Sequence, residues 1–282
     1  MIRLILLDID GTLVNTEKKI TPRTKEALLK AQEHGARLVI ASGRPPRGLE
    51  RFAEELDMKS HHGMFIGFNG AQVIDCQNGE IIYEHAMSAE DTRSVLRHIS
   101  RFEVQPMIVH GEYMFVNDAY KGVLQLENGP KNIMEHEAHG NHYPLCEVFD
   151  LASFVDFPVE KILTLGQPEY LQQHWQEMAA PFQDRLASMF TAPFYYEYTA
   201  KGIDKAAAIR ESLHKLGYTR EEMIAFGDAQ NDKTMIEYAG IGVAMGNATD
   251  ELKAAADEIT ASNDEDGIAE SLYRHMPEVF GR

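Results

Sequence analysis

The chain is predicted to be α/β: a Rossmann-like core, with a parallel sheet covered by helices on both faces, that carries an inserted α+β domain. Two observations predict this. Short apolar runs alternate with amphipathic helical stretches at both ends of the 282 residues, and the middle third breaks that alternation. A chain of this length accommodates one large domain or two ordinary ones.

The N-terminal portion gives the elements in order. Leu4 to Asp8 is an almost purely apolar run, as expected of a strand buried on both faces. Thr21 is a natural N-cap and Pro22 a first helical residue; Ala27, Leu28 and Ala31 keep helical spacing, and Gly35 stops the helix. Arg37 to Ala41 is a second strand, which completes a βαβ unit. A helix over Arg47 to Leu56 and a strand over Met64 to Phe68 follow, and Asn78-Gly79 joins two short strands as a hairpin. The last third resumes the pattern. It has a helix over Asp204 to Leu216, strands at Met223 to Phe226 and Ile241 to Ala244, a helix after the N-cap Thr249, and a final helix over Gly267 to His275.

Between them, residues 85–187 mix helices and strands without regular alternation. Ser88 to Phe102 is helical, Gln105 to His110 and Tyr113 to Val116 form a hairpin around Gly111, and Lys161 to Leu165 is a strand. The expected organisation is therefore a discontinuous core, 1–84 with 188–282, and an inserted α+β domain, 85–187.

Composition excludes several classes of function. With 27 basic and 44 acidic residues, the net charge of −17 opposes a nucleic-acid binder or a protein held on anionic lipid. Two cysteines, Cys76 and Cys146, cannot form a disulfide scaffold or a cysteine-rich zinc module. The first apolar run is cut short by Asp8 and Asp10, too early for a signal-peptide core, and no run is long enough to span a bilayer. A cytoplasmic location is expected, as a monomer or homodimer.

The chemistry concentrates at strand ends. In Asp8-Ile9-Asp10-Gly11-Thr12-Leu13 two carboxylates lie two residues apart among apolar neighbours. Strand alternation would point both the same way. Two buried carboxylates need a cation, or one must hold a proton; Mg²⁺ suits hard oxygen ligands. Ser42-Gly43-Arg44 offers a hydroxyl and a close-approaching backbone N–H at the next strand end. Lys205 opens a helix, where the dipole disfavours a cation unless an anion is present. Gly227-Asp228-Ala229-Gln230-Asn231-Asp232 adds carboxylates and an amide. Any one of these could be an ordinary turn or cap. Four such loops at four strand ends supply the parts of a phosphate-handling Mg²⁺ site.

These four motifs resemble those of the haloacid dehalogenase superfamily of phosphatases. The position and size of the insert resemble the Cof-like sugar-phosphatase branch with its α/β cap. Asn69-Gly70-Ala71, Val243 to Ala248 and Ser262 to Gly267 are further Cof-like strings. The resemblance covers essentially the whole chain. It implies that Asp8 is the nucleophile, that Asp10 is the general acid and base, and that Thr12 orients Asp10. It implies that Asp8, Asp10 (through its backbone carbonyl) and Asp228 hold Mg²⁺. Ser42, the amides of Ile9 and Gly43, Lys205 and Asn231 would hold the phosphoryl group, and Asp232 would support the site by orienting Lys205 or a metal-bound water. The implied substrate is a small phosphomonoester, a sugar phosphate first of all.

The insert holds seven of the twelve histidines. His136, His139 and His142 recur every third residue, but Gly140, Asn141 and Pro144 break a helix that could align them, so a solvated loop is expected rather than a zinc site. Lys161, Tyr195 and Tyr196 are candidate substrate selectors; the aromatic cluster around the tyrosines fits strand packing better. A phosphomutase would share the nucleophile and a related cap. A phospho-accepting receiver module would share the acidic cluster and lysine, but it needs neither a second carboxylate at this spacing nor a large insert.

Overall fold

The computed structural model describes residues 1–126 and 129–281. It divides into two compact units, Met1–Glu84 with Asp204–Arg282, and His85–Ile203.

Among the described residues of the first unit, eight strands form one sheet in the order Glu258–Ile259, Ile241–Ala244, Met223–Gly227, Leu4–Leu7, Arg37–Ala41, Met64–Gly67, Gln72–Asp75, Ile81–Glu84. The first six run parallel, while the last two form the hairpin predicted around Asn78-Gly79 and pair antiparallel at the edge. Leu4–Leu7 is central and wholly buried, because both faces of the sheet are covered. Ile5 and Leu7 pack with Leu28 and Ile268 on one side, and Leu4 and Leu6 with Ile209, Leu213 and Met235 on the other. Helix Pro22–Glu33 starts as its sequence requires: Thr21 accepts from the Thr24 N–H, and Pro22 stands where no intrahelical donor is needed. Parallel pairing of Leu7 with Phe226 and Ile40 brings the carboxyl ends of these strands together. There the chain leaves the sheet at Asp8, Ser42, Phe68 and Asp228.

The second unit has a six-stranded sheet in the order Leu145–Glu147, Tyr113–Val116, Gln105–His110, Lys161–Leu165, Tyr195–Ala200, Leu186–Ala192. Helices Ala89–Ile99 and Pro168–Ala179 cover one face and Ile133–Gly140 the other. The expected end of the insert at 187 needs correction. Leu186–Ala192 pairs with Tyr195–Ala200, which pairs with Lys161–Leu165, so the unit continues to Ile203. The histidine segment is also not the expected loop. His136 and His139 lie on the helix Ile133–Gly140, which Asn132 caps by accepting from the Glu135 N–H and which buries Ile133, Met134 and Ala138. Only His142 falls beyond it, at a positive φ of 59°.

Candidate active site

The strand carrying the first motif stops at Leu7, and the chain then folds back on itself. The Asp8 N–H donates to the Phe226 carbonyl at 3.1 Å, while the Leu13 N–H and Val14 N–H return to the carbonyls of Asp8 and Ile9. Gly11 takes φ +88°, and a Cβ there would fall on the Asp228 carboxylate. Strand alternation therefore does not extend to Asp10, and Asp8 and Asp10 have different surroundings.

Asp8 faces inward. Lys205, wholly buried, donates from Nζ to Asp8 Oδ1 at 2.6 Å, to Asp232 Oδ1 at 2.6 Å and to the Ala41 carbonyl at 2.7 Å. All three ammonium protons are used. Lys205 is the first residue of helix Lys205–Ser212, whose N-cap Asp204 accepts from the Ala207 N–H. The unfavourable helix dipole is met by two carboxylates. The other oxygen of Asp232 accepts from the N–H groups of Asp228 and Ala229, at 3.0 Å each, which ties the fourth motif loop to the lysine. Burial works against the Lys205 charge, but Asp232 and Asp8 outweigh it and raise its pKa above the ordinary lysine value.

Asp8, Asp228 and Asp232 each bring a carboxylate oxygen within 4.8 Å of the others. One ammonium does not balance three carboxylates. Burial, opposed by Lys205 and reinforced by Asp232, pushes the Asp8 carboxyl up to about 8. Burial likewise lifts Asp228 to about 6, against the hydrogen bond from Thr12. A cluster of hard oxygen donors with an excess of negative charge fits a small divalent cation.

The Thr12 hydroxyl donates to Asp228 Oδ1 at 2.8 Å. This corrects the expectation that Thr12 orients Asp10: the tight turn at Gly11 sets Thr12 beside the fourth motif instead. The Asp10 carboxylate stands apart from the acidic trio. Arg44 donates to Asp10 Oδ2 from Nη2 at 2.8 Å and from Nε at 3.1 Å, and Lys18 donates to Oδ1 at 2.9 Å. Burial alone would raise the Asp10 pKa, but the two cations more than offset it and hold it below the ordinary value. The Asp10 carboxylate is therefore not part of the cluster, and Asp232 is the third carboxylate present.

The remaining candidates line the same strand ends. Ser42 is buried, accepts the Arg44 N–H at 3.3 Å and has its own N–H on the Ile66 carbonyl. Asn69, at φ 57°, lays its amide against Gly43, where a side chain would press on it. Asn231 Nδ2 donates to Asn69 Oδ1 at 3.2 Å. The Ile9 side chain is core, which leaves only its backbone to face a ligand. Sequence reasoning gave no role to Arg44, Lys18 or Asn69. Arg44 and Asn69 stand inside strings that the resemblance had already singled out, whereas nothing in the sequence marked Lys18.

A buried carboxylate aligned by a buried lysine, further carboxylates suited to a cation, and a separate carboxylate held by two cations suit transfer of a phosphoryl group. Comparison with known proteins agrees. A family model described as haloacid dehalogenase-like hydrolase matches residues 5–272. A 5-amino-6-(5-phospho-D-ribitylamino)uracil phosphatase of Bacillus subtilis is 32% identical over 279 residues, 97% of this chain and 95% of that protein. The crystal structure of a haloacid dehalogenase-like hydrolase from Bacteroides thetaiotaomicron superposes with a TM-score of 0.89 at 35% identity, covering 98% of this chain and 100% of that one. A HAD subclass IIB sugar phosphatase superposes with a TM-score of 0.75 at 29% identity, over 99% of both chains.

Proposed function

The chain belongs to the haloacid dehalogenase-like hydrolases and is a phosphatase, and on that premise we propose that it hydrolyses a small phosphomonoester with Mg²⁺, through an aspartyl-phosphate on Asp8. The observation that carries the reading is the buried Asp8–Lys205–Asp232 network beside Asp228. Lys205 fixes one Asp8 oxygen and leaves the other for attack on phosphorus.

The residues act in two steps. An Asp8 oxygen forms a bond to phosphorus as the ester P–O bond breaks, and Asp10, released from Arg44 and Lys18 and carrying a proton, delivers it to the departing alkoxide. Asp10 then takes a proton from water as that water attacks phosphorus. The P–O bond to Asp8 breaks, and phosphate and a free carboxylate are regenerated. Asp8, Asp228 and the Asp10 carbonyl would hold Mg²⁺, which when bound supplies positive charge to the phosphoryl oxygens. Ser42, the Ile9 and Gly43 amides and Asn231 would orient the phosphoryl group. Lys205, its protons already taken, adds its charge and keeps Asp8 in line. Asp232 holds Lys205.

The relatives' names point to the substrate class. One is named for a phosphorylated ribityl chain and another as a sugar phosphatase, so a phosphate ester of a sugar or a related polyhydroxylated metabolite is the proposed substrate. No nucleic-acid or membrane partner is part of this reading, and no helix among the described residues is long and apolar enough to cross a membrane. A cytoplasmic setting belongs to the same proposal. Phosphate release from a panel of sugar, polyol and nucleoside phosphates, with Mg²⁺ and with chelator, tests it. The expected result is turnover that depends on Mg²⁺ and favours polyhydroxylated esters; full turnover in chelator would overturn the metal assignment.

A further inference from the structure

The loop that carries Asp10 is held along its length by a segment far away in sequence. Asn247 Nδ2 donates to the Gly11 carbonyl at 2.8 Å. Asn263 Nδ2 donates to the Val14 carbonyl at 2.9 Å, while its own N–H donates to Asn247 Oδ1 at 3.0 Å. Asp264 accepts the Thr16 N–H at 2.8 Å and the Thr16 hydroxyl at 2.5 Å. Asp266 closes the series by accepting from the hydroxyls of Thr21 and Thr24 at the start of the following helix. Val14 is bridged back to Asp10, and Lys18, which grips Asp10, lies on the same loop.

Thr16, Asn247 and Asp264 are exposed and could be hydrated where they stand, whereas Val14 is buried and its carbonyl relies on Asn263. The exposed bonds among these add little to stability, yet together with the Asn263 bond they meet the loop at Gly11, Val14 and Thr16. Their effect is to fix the loop's path. The tight packing of Gly11 on the Asp228 carboxylate makes that path matter, since a shift of the loop moves Asp10 relative to Asp228.

We propose that Asn247, Asn263 and Asp264 are positioning residues, a clasp that sets where Asp10 stands for proton transfer to the leaving group. The proposal rests on the phosphatase reading above. The clasp touches none of the reacting atoms and acts only through the loop.

The test compares two esters, a sugar phosphate and p-nitrophenyl phosphate, whose phenolate leaves without needing a proton. The readout is kcat/KM, which reports the step that expels the leaving group. The double variant Asn263→Ala with Asp264→Ala is expected to lose about 10- to 100-fold on the sugar phosphate and clearly less on the nitrophenyl ester. Its thermal midpoint should fall by no more than about 5 °C, the cost of the Val14 carbonyl left without Asn263. Asp264→Asn, which keeps an oxygen for the Thr16 N–H, should recover most of the loss. Equal losses on both esters, or no loss on either, would overturn the clasp while leaving the phosphatase reading intact. A parent protein that releases phosphate from neither ester would remove both.

Discussion

The site holds its two principal carboxylates in opposite ways. Asp8 is gripped by a lysine that has no exposed surface, and that lysine is gripped in turn by Asp232 and a main-chain carbonyl. Asp10 is held by Arg44 and Lys18, whose side chains are 25% and 61% exposed, and its own is 41% exposed. A buried, fully bonded ion cluster resists rearrangement because any broken partner leaves a charge without solvent. A half-exposed ion pair exchanges at little cost because water and salt replace it. The difference matches the roles proposed: a nucleophile that must stay in line, and an acid–base group that must leave its cations to meet a leaving group.

Substitutions at either carboxylate should have unequal effects. The largest effect should come from Asp8→Asn, which keeps the shape but removes the proposed nucleophile; turnover should fall ~10⁴-fold or more, measured as phosphate release. Next is Lys205→Ala. It leaves Asp8 and Asp232 buried without their cation, and should destabilise the fold by about 3–5 kcal/mol at neutral pH, read from urea unfolding. A loss no larger than that of a surface ion pair would show that the buried cluster is not the fixed element.

Stability should depend on pH through the same buried carboxylates. Without a cation, the folded pKa values of Asp8 and Asp228 are raised to about 8 and about 6, against ~3.9 in the unfolded chain. The folded protein therefore binds these protons more tightly. That stabilisation is complete below about pH 4 and is lost as pH rises through about 6 and then about 8. Mg²⁺ must displace the protons, so the rise in thermal midpoint on adding Mg²⁺ should be larger near pH 8 than near pH 5.5. An equal rise at both would contradict a cation among these carboxylates. The smallest effect on stability is expected from Arg44→Ala, within about 1 kcal/mol in the same unfolding measurement, although its release of Asp10 should alter the pH profile of kcat.

The sequence carried the buried half of this contrast better than the exposed half. Asp8, Ser42 and Asp228 could be placed at strand ends because short apolar runs fix where strands stop, and parallel pairing then gathers those ends; Lys205 could be placed at a helix start. What the chain does after Leu7 was not legible. The turn at Gly11 delivers Thr12 to Asp228 and sends Asp10 to Arg44 and Lys18, and it depends on contacts with residues more than two hundred positions away. The end of the second unit was hidden for a similar reason. The tyrosine cluster read as strand packing, but only the pairing of Tyr195–Ala200 with Leu186–Ala192 and Lys161–Leu165 says which sheet it joins. The histidine helix was missed because Gly140 and Asn141 were read as breaking it, when they only end it.

The proposed cycle passes through a covalent bond between Asp8 and phosphorus. It is tested most directly by acid-quenching the enzyme in the first turnover with a ³²P-labelled sugar phosphate and Mg²⁺. Label is expected on the peptide that contains Asp8, released by hydroxylamine as an acyl phosphate is, and absent in Asp8→Asn. Burst turnover with no label on the protein, or label that persists in Asp8→Asn, would contradict it.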